Sequence, residues 1–365
     1  MKVECVREKL ERAVSLASNV TGKDLSLPVL KCVLLIVKNS TLIVRSTNLD
    51  LGVEVRISVK TDKEGVVAVP ADILKNFLTS LYNDKKVFLE LKDSTLVVTT
   101  NHTKTQIKTL SHDEFPSIPV LEDATAISLP ATKFLEGLNS VYYTASPSSM
   151  KPELASVYIH KENSQLIFAA TDSFRLAEKK VKIKNLDEFP SLLIPHKNVV
   201  EILKILDNTG DDVELHLSDN QIALKQGDVY ITSRVVDGVF PDYRQIIPKE
   251  HTTEAVMLKK DLQGALKLSN IFADKFNQIT LVIDPKKKVF EIQTTNSDVG
   301  ENKGQVDAAI NGEVVEMSFN YRYIIECFQS ITTDSVSLGL SSGKPMVIKG
   351  VGDENFLYLV MSMNR

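Results

Sequence analysis

Long hydrophobic runs are missing from this sequence of 365 residues. Near the N-terminus the longest uninterrupted apolar stretch is residues 32–37, far short of the roughly 20 residues that a membrane-spanning helix needs. Charged residues interrupt every apolar step of residues 1–8, so the hydrophobic segment of a signal peptide cannot form there. The sequence therefore predicts a soluble, cytoplasmic protein that has no membrane partner.

Cysteine and histidine are scarce and scattered. Cys5, Cys32 and Cys327 form no C-x-x-C pair and leave one thiol over, which argues against a disulfide framework and a zinc site. No histidine has an i,i+4 partner or a nearby cysteine that would suggest a metal-ligand set. Neither of the two glycine-rich loops that cradle nucleotide phosphates is present. We therefore expect no metal and no cofactor.

An excess of basic charge is also lacking. With 43 basic and 47 acidic side chains the net charge is −4, so the chain as a whole is not a basic nucleic-acid binder. Any contact with DNA must come from basic side chains sorted onto one surface. The length exceeds what one hydrophobic core usually supports, which predicts more than one domain.

The most informative feature is an internal repeat with a period close to 125 residues. Three similar tripeptides, S-T-N, A-T-D and T-T-N, begin at residues 46, 170 and 294, at intervals of 124. The dipeptides V-P, I-P and F-N begin at residues 69, 194 and 319, at intervals of 125, and each opens an amphipathic segment. The dipeptide F-P ends the first two copies at residues 115 and 240. One domain is thus written three times.

Each copy shows the same order of elements. A first helix is predicted over residues 6–20, 131–143 and 260–272, and a second over residues 70–82, 195–206 and 320–330. Alternating apolar and polar residues at 87–91, 213–217 and 336–340 predict strands. We therefore predict an α+β fold in which three tandem domains each pack two helices on an antiparallel sheet. The predicted helices carry apolar stripes that we assign to the core: Val6, Leu10, Val14 and Ala17 in the first, and Ile73, Leu74, Phe77, Leu78 and Leu81 in the second.

Candidate catalytic groups are few. Ser148 and Lys151 match S-x-x-K, a short pattern that often arises by chance, and the motifs that accompany it in hydrolases are missing. Asp50, Asp172 and Asp298 lie near the repeated threonine motif, and this recurrence favours a role in turns or caps. A chain of this size without a catalytic constellation is better interpreted as a binding or scaffolding protein.

Four local sequences carry a family resemblance. They are L-P-V-L at residues 27–30, A-T-D-S-F-R-L-A at 170–177, F-P-D-Y-R-Q-I-I-P at 240–248 and V-M-S-M at 360–363. In order and spacing, over the whole chain, they resemble the β subunit of bacterial DNA polymerase III, the sliding clamp. The resemblance implies clamp domains at residues 1–121, 122–248 and 249–365, and a non-catalytic protein whose head-to-tail homodimer closes into a ring around double-stranded DNA.

The resemblance, which implies helices that line the hole of the ring, also gives a purpose to the basic residues on the helix faces opposite the apolar stripes. Basic side chains that face a duplex attract it without reading its sequence, which suits a protein that slides. The candidate DNA contacts are Arg12, Lys23, Lys75, Lys133, Lys197, Lys260 and Arg322. Lys23 is included because the family places DNA contacts near the loop before L-P-V-L.

A second site implied by the resemblance is a hydrophobic groove that binds short peptides of polymerases, the clamp loader and repair proteins. Methionine side chains suit such a groove because they repack around varied ligands. The chain departs from the family at Ser173, Phe174 and Ser362, where glycine, histidine and proline are common. The residues carried over are Leu154, Thr171, Ser173, Phe174, Arg175, Leu176, Pro241, Gln245, Ile246, Phe276, Asn320, Tyr323, Pro345, Val360, Met361, Ser362 and Met363.

Two alternatives remain open from the sequence. One is a three-repeat scaffold that binds peptides without encircling DNA. The other is a hydrolase that uses Ser148 and Lys151 or the repeated Thr-Asp motif. Loss of an activity on substitution of Ser148 or Asp172 would favour the hydrolase, whereas clamp function that survives reversal of the helix charges would favour the scaffold.

Overall fold

The computed structural model describes residues 1–22, 27–121, 125–184, 186, 188–206, 211–218 and 220–363. The chain divides into two compact units. The first unit contains residues 1–135 and 197–235, and the second contains residues 136–196 and 236–365. The second repeat therefore contributes to both units.

The described elements recur in the same order in each repeat, except that the strand at Lys60–Lys63 in the first repeat and Ala308–Gly312 in the third has no counterpart in the described part of the second. The first repeat contains β1 (Lys2–Val6), α1 (Arg7–Ser18), β2 (Cys32–Lys38), β3 (Thr41–Thr47), β4 (Leu51–Ser58), β5 (Lys60–Lys63), β6 (Gly65–Pro70), α2 (Ala71–Thr79), β7 (Lys86–Lys92), β8 (Thr95–Thr99) and β9 (Lys104–Lys108). The second contains β10 (Thr125–Pro130), α3 (Ala131–Val141), β11 (Ser156–Glu162), β12 (Gln165–Thr171), β13 (Arg175–Lys182), β14 (Leu192–Pro195), α4 (His196–Ile205), β15 (Asp212–Leu217), β16 (Gln221–Gln226) and β17 (Val229–Arg234). The third contains β18 (Thr253–Leu258), α5 (Lys259–Asn270), β19 (Gln278–Asp284), β20 (Val289–Asn296), β21 (Gly300–Gln305), β22 (Ala308–Gly312), β23 (Val315–Asn320), α6 (Tyr321–Cys327), β24 (Ser335–Leu340), β25 (Met346–Gly350) and β26 (Phe356–Val360).

The six predicted helices are confirmed as α1 to α6, each ending within a few residues of the expected position. The strands predicted at residues 87–91, 213–217 and 336–340 are confirmed as parts of β7, β15 and β24. All strand pairs in the described part of the chain are antiparallel, as expected for an α+β fold. Helical stripes and period-2 alternation therefore located the six helices and these three strands.

Two antiparallel sheets build the first unit. One has five strands in the order β5-β1-β7-β8-β9, and the other has eight in the order β10-β15-β16-β17-β4-β3-β2-β6. In the larger sheet, β17 of the second repeat pairs with β4 of the first, with Ser233 opposite Leu51. The backbone hydrogen bonds of one sheet thus join the first two repeats.

The second unit repeats this plan. Its larger sheet has nine strands in the order β14-β11-β12-β13-β26-β25-β24-β18-β22, and its smaller sheet has four in the order β21-β20-β19-β23. Here β13 of the second repeat pairs with β26 of the third, with Arg175 opposite Val360. The same strand-to-strand joint therefore connects the second and third repeats.

Most residues of the two helix stripes are buried, whereas Phe77 is half-buried and Val6 and Ile73 are exposed. Leu10, Ala13, Val14 and Ala17 of α1 are buried, and so are Ala71, Leu74 and Leu78 of α2. The core assignment was wrong for Val6, which is 47% exposed and ends β1, and for Ile73, which is 55% exposed. In a helix as short as α2, the buried face follows the i, i+3 and i+7 positions that start at Ala71, and Ile73 lies beside that face.

All three cysteines are free and buried, as core residues. Burial raises the pKa of Cys5 to about 12 and that of Cys32 to about 11. These thiols stay protonated at neutral pH, and a protonated thiol is a poor nucleophile and metal ligand. Their environment fits a structural role.

Candidate functional site

The loop between β12 and β13 is the first component of the predicted groove. The Thr171 hydroxyl donates to the Arg175 carbonyl at 2.6 Å, and the backbone N–H of Ser173 donates to Thr171 Oγ1 at 3.1 Å. Asp172 Oδ1 accepts from the backbone N–H groups of Phe174 and Arg175. Ser173 has a φ of 77°, a left-handed conformation that a non-glycine residue adopts only when its surroundings hold it. The loop leaves the Phe174 side chain 60% exposed.

The C-terminal segment lies beside this loop. Because β26 pairs with β13, the chain that follows Val360 runs past the loop, and the Met361 N–H donates to the Phe174 carbonyl at 2.8 Å. Two residues on, the Met363 N–H donates to the Ser318 carbonyl of β23 at 2.8 Å. These bonds fix a methionine-containing segment between elements of the second and third repeats.

Arg175 ties the loop to the third repeat. Its guanidinium donates to Asp172 at 2.9 Å, to the Tyr143 carbonyl at 2.7 Å and to Glu326 of α6. It also lies over the Tyr323 ring, 4.6 Å from the centroid. Because its donors are engaged within the protein and its side chain is only 10% exposed, Arg175 holds the β12–β13 loop in place.

An apolar cluster supports the other side of the groove. Leu176, Leu193, Phe240, Tyr243, Val347 and Leu359 belong to one buried core. Phe240 stacks on Tyr158 with ring centroids 4.9 Å apart, and the Tyr243 hydroxyl donates to Glu178 at 2.5 Å. Burial and the nearby Glu178 raise the pKa of Tyr243, so the phenol remains a donor. The cluster fixes the F-P-D-Y-R segment and presents Pro241 at the surface.

The third repeat supplies a further aromatic residue. Phe276 is 57% exposed, and Lys275 Nζ lies 5.1 Å from its ring centroid. The Tyr321 N–H donates to the Asn277 carbonyl at 2.9 Å, which holds this loop at the start of α6. Asn320 caps that helix by accepting from the Arg322 N–H.

The predicted groove residues fall into three groups by exposure. Four are buried: Leu154, Thr171, Leu176 and Val360. Seven are exposed and available to a ligand: Ser173, Phe174, Pro241, Gln245, Ile246, Phe276 and Met361. The half-buried residues are Arg175, Asn320, Tyr323, Pro345, Ser362 and Met363. Leu176 and Val360 are therefore core residues, whereas Ile246 is 46% exposed.

Sequence patterns did not identify all the residues that hold Arg175. They also did not identify the exposed side chain of Val239. Glu326 and Tyr143 meet Arg175 only through tertiary packing, whereas Tyr323 was already assigned to the groove and Asp172, three residues before Arg175, offered a local signal. Val239 is 88% exposed immediately before the buried Phe240. An isolated apolar residue before an aromatic anchor is a weak signal in sequence.

The repeated Thr-Asp motif is a turn, as predicted, but different residues carry it. Asn48 Oδ1 accepts from two backbone N–H groups of its loop, as Asp172 does, and Asn296 Oδ1 accepts from the Asp298 N–H. The turn role assigned to the side chains of Asp50 and Asp298 was therefore wrong. The repeat interval of 124 residues aligns Asp172 with positions 48 and 296, where asparagine accepts the same bonds.

The candidate DNA contacts lie on the helices, except Lys23, which is outside the described residues. In the first unit Arg12, Lys133 and Lys197 are exposed and Lys75 is half-buried. In the second unit Lys260 and Arg322 are exposed. The Arg12 guanidinium contacts both carboxylate oxygens of Asp228, at 3.0 and 3.1 Å. A phosphate must compete with that carboxylate for Arg12.

Other chemistry finds little support. Ser148 Oγ accepts from the Met150 N–H in an exposed turn, and neither of the short-motif residues Ser148 and Lys151 is buried. Among the described residues, no group of three or more histidine, cysteine or acidic side chains is placed to hold a metal ion. No helix in the described part of the chain is long and apolar enough to span a membrane.

The chain consists of three tandem α+β domains, and strand pairing joins each domain to the next, β4 with β17 and β13 with β26. This architecture is that of the DNA sliding clamps. Family models of the DNA polymerase III β subunit match residues 1–119 as its N-terminal domain, 128–242 as its central domain and 244–364 as its C-terminal domain. The chain belongs to this family, whose members are non-catalytic processivity factors.

Individual relatives agree over the full length. The chain is 30% identical to a β sliding clamp of Synechococcus elongatus, covering 99% of this chain and 98% of the relative. It is 27% identical to a β sliding clamp of Proteus mirabilis, with both chains fully covered. The crystal structure of a DNA polymerase III β subunit from Thermotoga maritima superposes with a TM-score of 0.93 at 27% identity, covering 100% of this chain and 99% of that one.

Proposed function

We propose that two copies of this chain associate head to tail into a ring that encircles duplex DNA, slides along it and holds the replicative polymerase through the peptide groove. The clamp domains are residues 1–121, 122–248 and 249–365, and the protein acts in the cytoplasm, where bacterial chromosomes are copied. The main support for this proposal is that the surfaces which join neighbouring repeats have equivalents on the first and third repeats. These equivalents are exposed in the single chain.

The internal joint between the second and third repeats shows what such a surface contains. Beside the β13–β26 pairing, the Ser330 hydroxyl donates to the Ser140 carbonyl of α3 at 2.9 Å and lies 3.0 Å from the Tyr143 hydroxyl. Counted from the starts of α3 and α5, Leu268 and Ile271 hold the places of Ser140 and Tyr143 in the third repeat. They are 51% and 63% exposed.

The second helices give the complementary half of the joint. Positions 73, 198 and 323 are equivalent, at intervals of 125 residues. Asn198 of α4 donates to the Asp50 carbonyl of the first repeat at 3.4 Å, and Tyr323 of α6 packs under Arg175 of the second repeat. Ile73 of α2 is instead 55% exposed.

Among the described strands, the first and third repeats also each carry an unpaired strand edge that corresponds to a paired one inside the chain. By repeat position β9 is equivalent to β17 and β26, and β21 is equivalent to β4 and β13. Yet β9 and β21 each have one neighbour in the described sheets. Apolar side chains and open strand edges favour association, and a second copy supplies both complements at once. The closed dimer contains two such interfaces.

Enclosure can be tested with DNA of different topology. When a bacterial clamp loader and ATP place the protein on nicked circular DNA, we expect it to remain bound through gel filtration at about 0.5 M salt, since screening removes most phosphate attraction. Cutting the circle at one site should release it. Equal retention on linear DNA, or no retention on the circle, would contradict the ring and favour the scaffold interpretation.

Salt dependence tests the helix lysines separately. Replacing Lys197 and Lys260 with glutamine should lower the slope of log affinity against log salt by about one for each phosphate that is no longer neutralised, because fewer counterions are released. The matched control replaces Lys38 and Lys286, exposed lysines in two strand hairpins, and changes the net charge equally. Fluorescence anisotropy with a short duplex measures both slopes. The same decrease in both variants would mean that only net charge matters.

The groove is proposed to bind short, partly apolar segments of the polymerase, the clamp loader and repair proteins. Phe174, Ile246, Phe276 and Met361 expose apolar surface on a framework fixed by Arg175 and the C-terminal hydrogen bonds. Exposed apolar groups on a rigid framework are typical of peptide-binding grooves, because little ordering is needed on binding.

A further inference from the structure

The first repeat contains a close copy of the loop that shapes the peptide groove. Thr47 Oγ1 donates to the Leu51 carbonyl and accepts from the Leu49 N–H, as Thr171 does in its own loop. Asn48 Oδ1 accepts from the N–H groups of Asp50 and Leu51. Leu49 has a φ of 78°, against 77° for Ser173 at the equivalent position. The two loops therefore share one backbone design.

A cavity of about 450 Å³ lies against this first loop. We call it the junction pocket, and its walls are residues 47–52, residues 116–119, Gln221 and residues 232–234. All of these residues belong to the first unit. Its volume falls within the range of roughly 300–1,000 Å³ that is usual for ligand sites.

Two residues beside the junction pocket are smaller than their counterparts in the second unit. Gly52 stands at the repeat position of Leu176, and Ile118 stands at that of Tyr243. In the second unit Leu176 and Tyr243 pack together in the buried core. Here Ile118 packs directly against Gly52, with its Cδ1 3.0 Å from the ideal Cβ position of that glycine, so the larger leucine–tyrosine pair of the second unit has no counterpart.

The chemistry of the pocket differs from that of the groove. Of the described residues that line it, only Asp50 and Arg234 are charged. They lie 3.9 Å apart with side chains 68% and 63% exposed, so they form a loose pair. A guanidinium binds a carboxylate through two parallel hydrogen bonds, and arginine is enriched in binding sites whereas aspartate is depleted. Ile118 and Leu49 add apolar contact nearby.

We propose that the junction pocket is a second peptide site, which binds a short extended segment carrying a carboxylate for Arg234 and an aliphatic side chain for Ile118. The peptide class of the ligand rests on the proposed function of the equivalent groove, whereas the charge preference rests on the pocket itself. Asp50 competes with the ligand carboxylate for Arg234 and keeps this site weaker for acidic segments.

Methyl NMR separates the two sites within the intact protein. The Ile118 δ1 methyl reports on the junction pocket, and that of Ile246 reports on the groove. The probe is an acetylated tripeptide amide with glutamate between two valines, compared with its glutamine analogue and with N-acetylglutamate amide. We expect the glutamate peptide to shift Ile118 saturably and to bind about five-fold or more tightly than either comparison compound, as one charge-assisted contact provides.

Two variants that each remove one charge should change the affinity in opposite directions. Arg234→Gln should weaken binding of the glutamate peptide about five-fold or more, and Asp50→Asn should strengthen it about two-fold or more, because the competing carboxylate is gone. Unchanged spectra away from the pocket show that both variants are folded. No shift at Ile118, equal binding of either comparison compound, or the opposite order of the variants would overturn the proposal. Shifts at Ile246 in the same titrations report on the groove independently.

Discussion

Replacing Ile271 with aspartate is expected to convert the dimer into monomers at micromolar concentration. Ile271 is 63% exposed at the end of α5, where the repeat comparison places the second copy. Burying an uncompensated polar group costs about 2 kcal/mol in proteins. Because a head-to-tail ring contains the interface twice, the cost is about 4 kcal/mol per dimer, or roughly a thousand-fold in the dissociation constant.

Sedimentation velocity over a dilution series measures this change directly. The control is Val351→Asp, which places the same charge at an exposed valine in the turn between β25 and β26, 45% exposed and away from the proposed interface. Thermal unfolding of both variants separates dissociation from loss of the fold. If Ile271→Asp stays dimeric, α5 does not contribute to the contact between copies.

Removing the Met363 side chain is the second substitution with a large expected effect. Met363→Ala should weaken binding of a peptide from the replicative polymerase by about 2 kcal/mol, roughly thirty-fold, because central apolar anchors dominate such interfaces. The backbone of residue 363 should stay in place, since its N–H remains bonded to the Ser318 carbonyl. The dimer should therefore be unaffected.

Deletion of residues 361–365 should weaken binding of the same peptide more than Met363→Ala does. It removes the Met361 and Met363 side chains and also the two backbone bonds to the Phe174 and Ser318 carbonyls. Met150→Ala is the matched control, because Met150 is 91% exposed and lies outside the proposed groove. Titration of a fluorescent peptide compares the three variants. An affinity for Met363→Ala equal to that of the control would remove Met363 from the groove.

The sequence predicted the helices and strands well because each copy carries the same periodic pattern. It failed for Ile73 because a helix stripe shows which residues are apolar, but not which of them a neighbouring domain or copy covers. It also misplaced two turn residues, since aspartate and asparagine accept the same backbone bonds and Asn48 and Asn296 replace the expected acids. At that position the repeat preserves a side-chain oxygen that accepts backbone hydrogen bonds, whether the residue is aspartate or asparagine.

Long-range contacts were beyond the sequence pattern. β13 pairs with β26 across nearly half the chain, and nothing in either strand specifies its partner. The family resemblance supplied the groove residues, but not that Arg175 would be held by Glu326 and Tyr143. It also gave no indication of the junction pocket, beside which Gly52 and Ile118 replace the larger leucine and tyrosine of the second unit.

The pairing of β17 with β4 and of β13 with β26 means that the sequence repeat is not a modular building block. A gene fragment cut after the second repeat would encode β13 without its neighbour, leaving a long strand edge of the kind through which chains aggregate. The first and third repeats therefore cannot be exchanged or deleted as independent units. Shuffling of such domains between proteins requires that the partner strand be transferred as well.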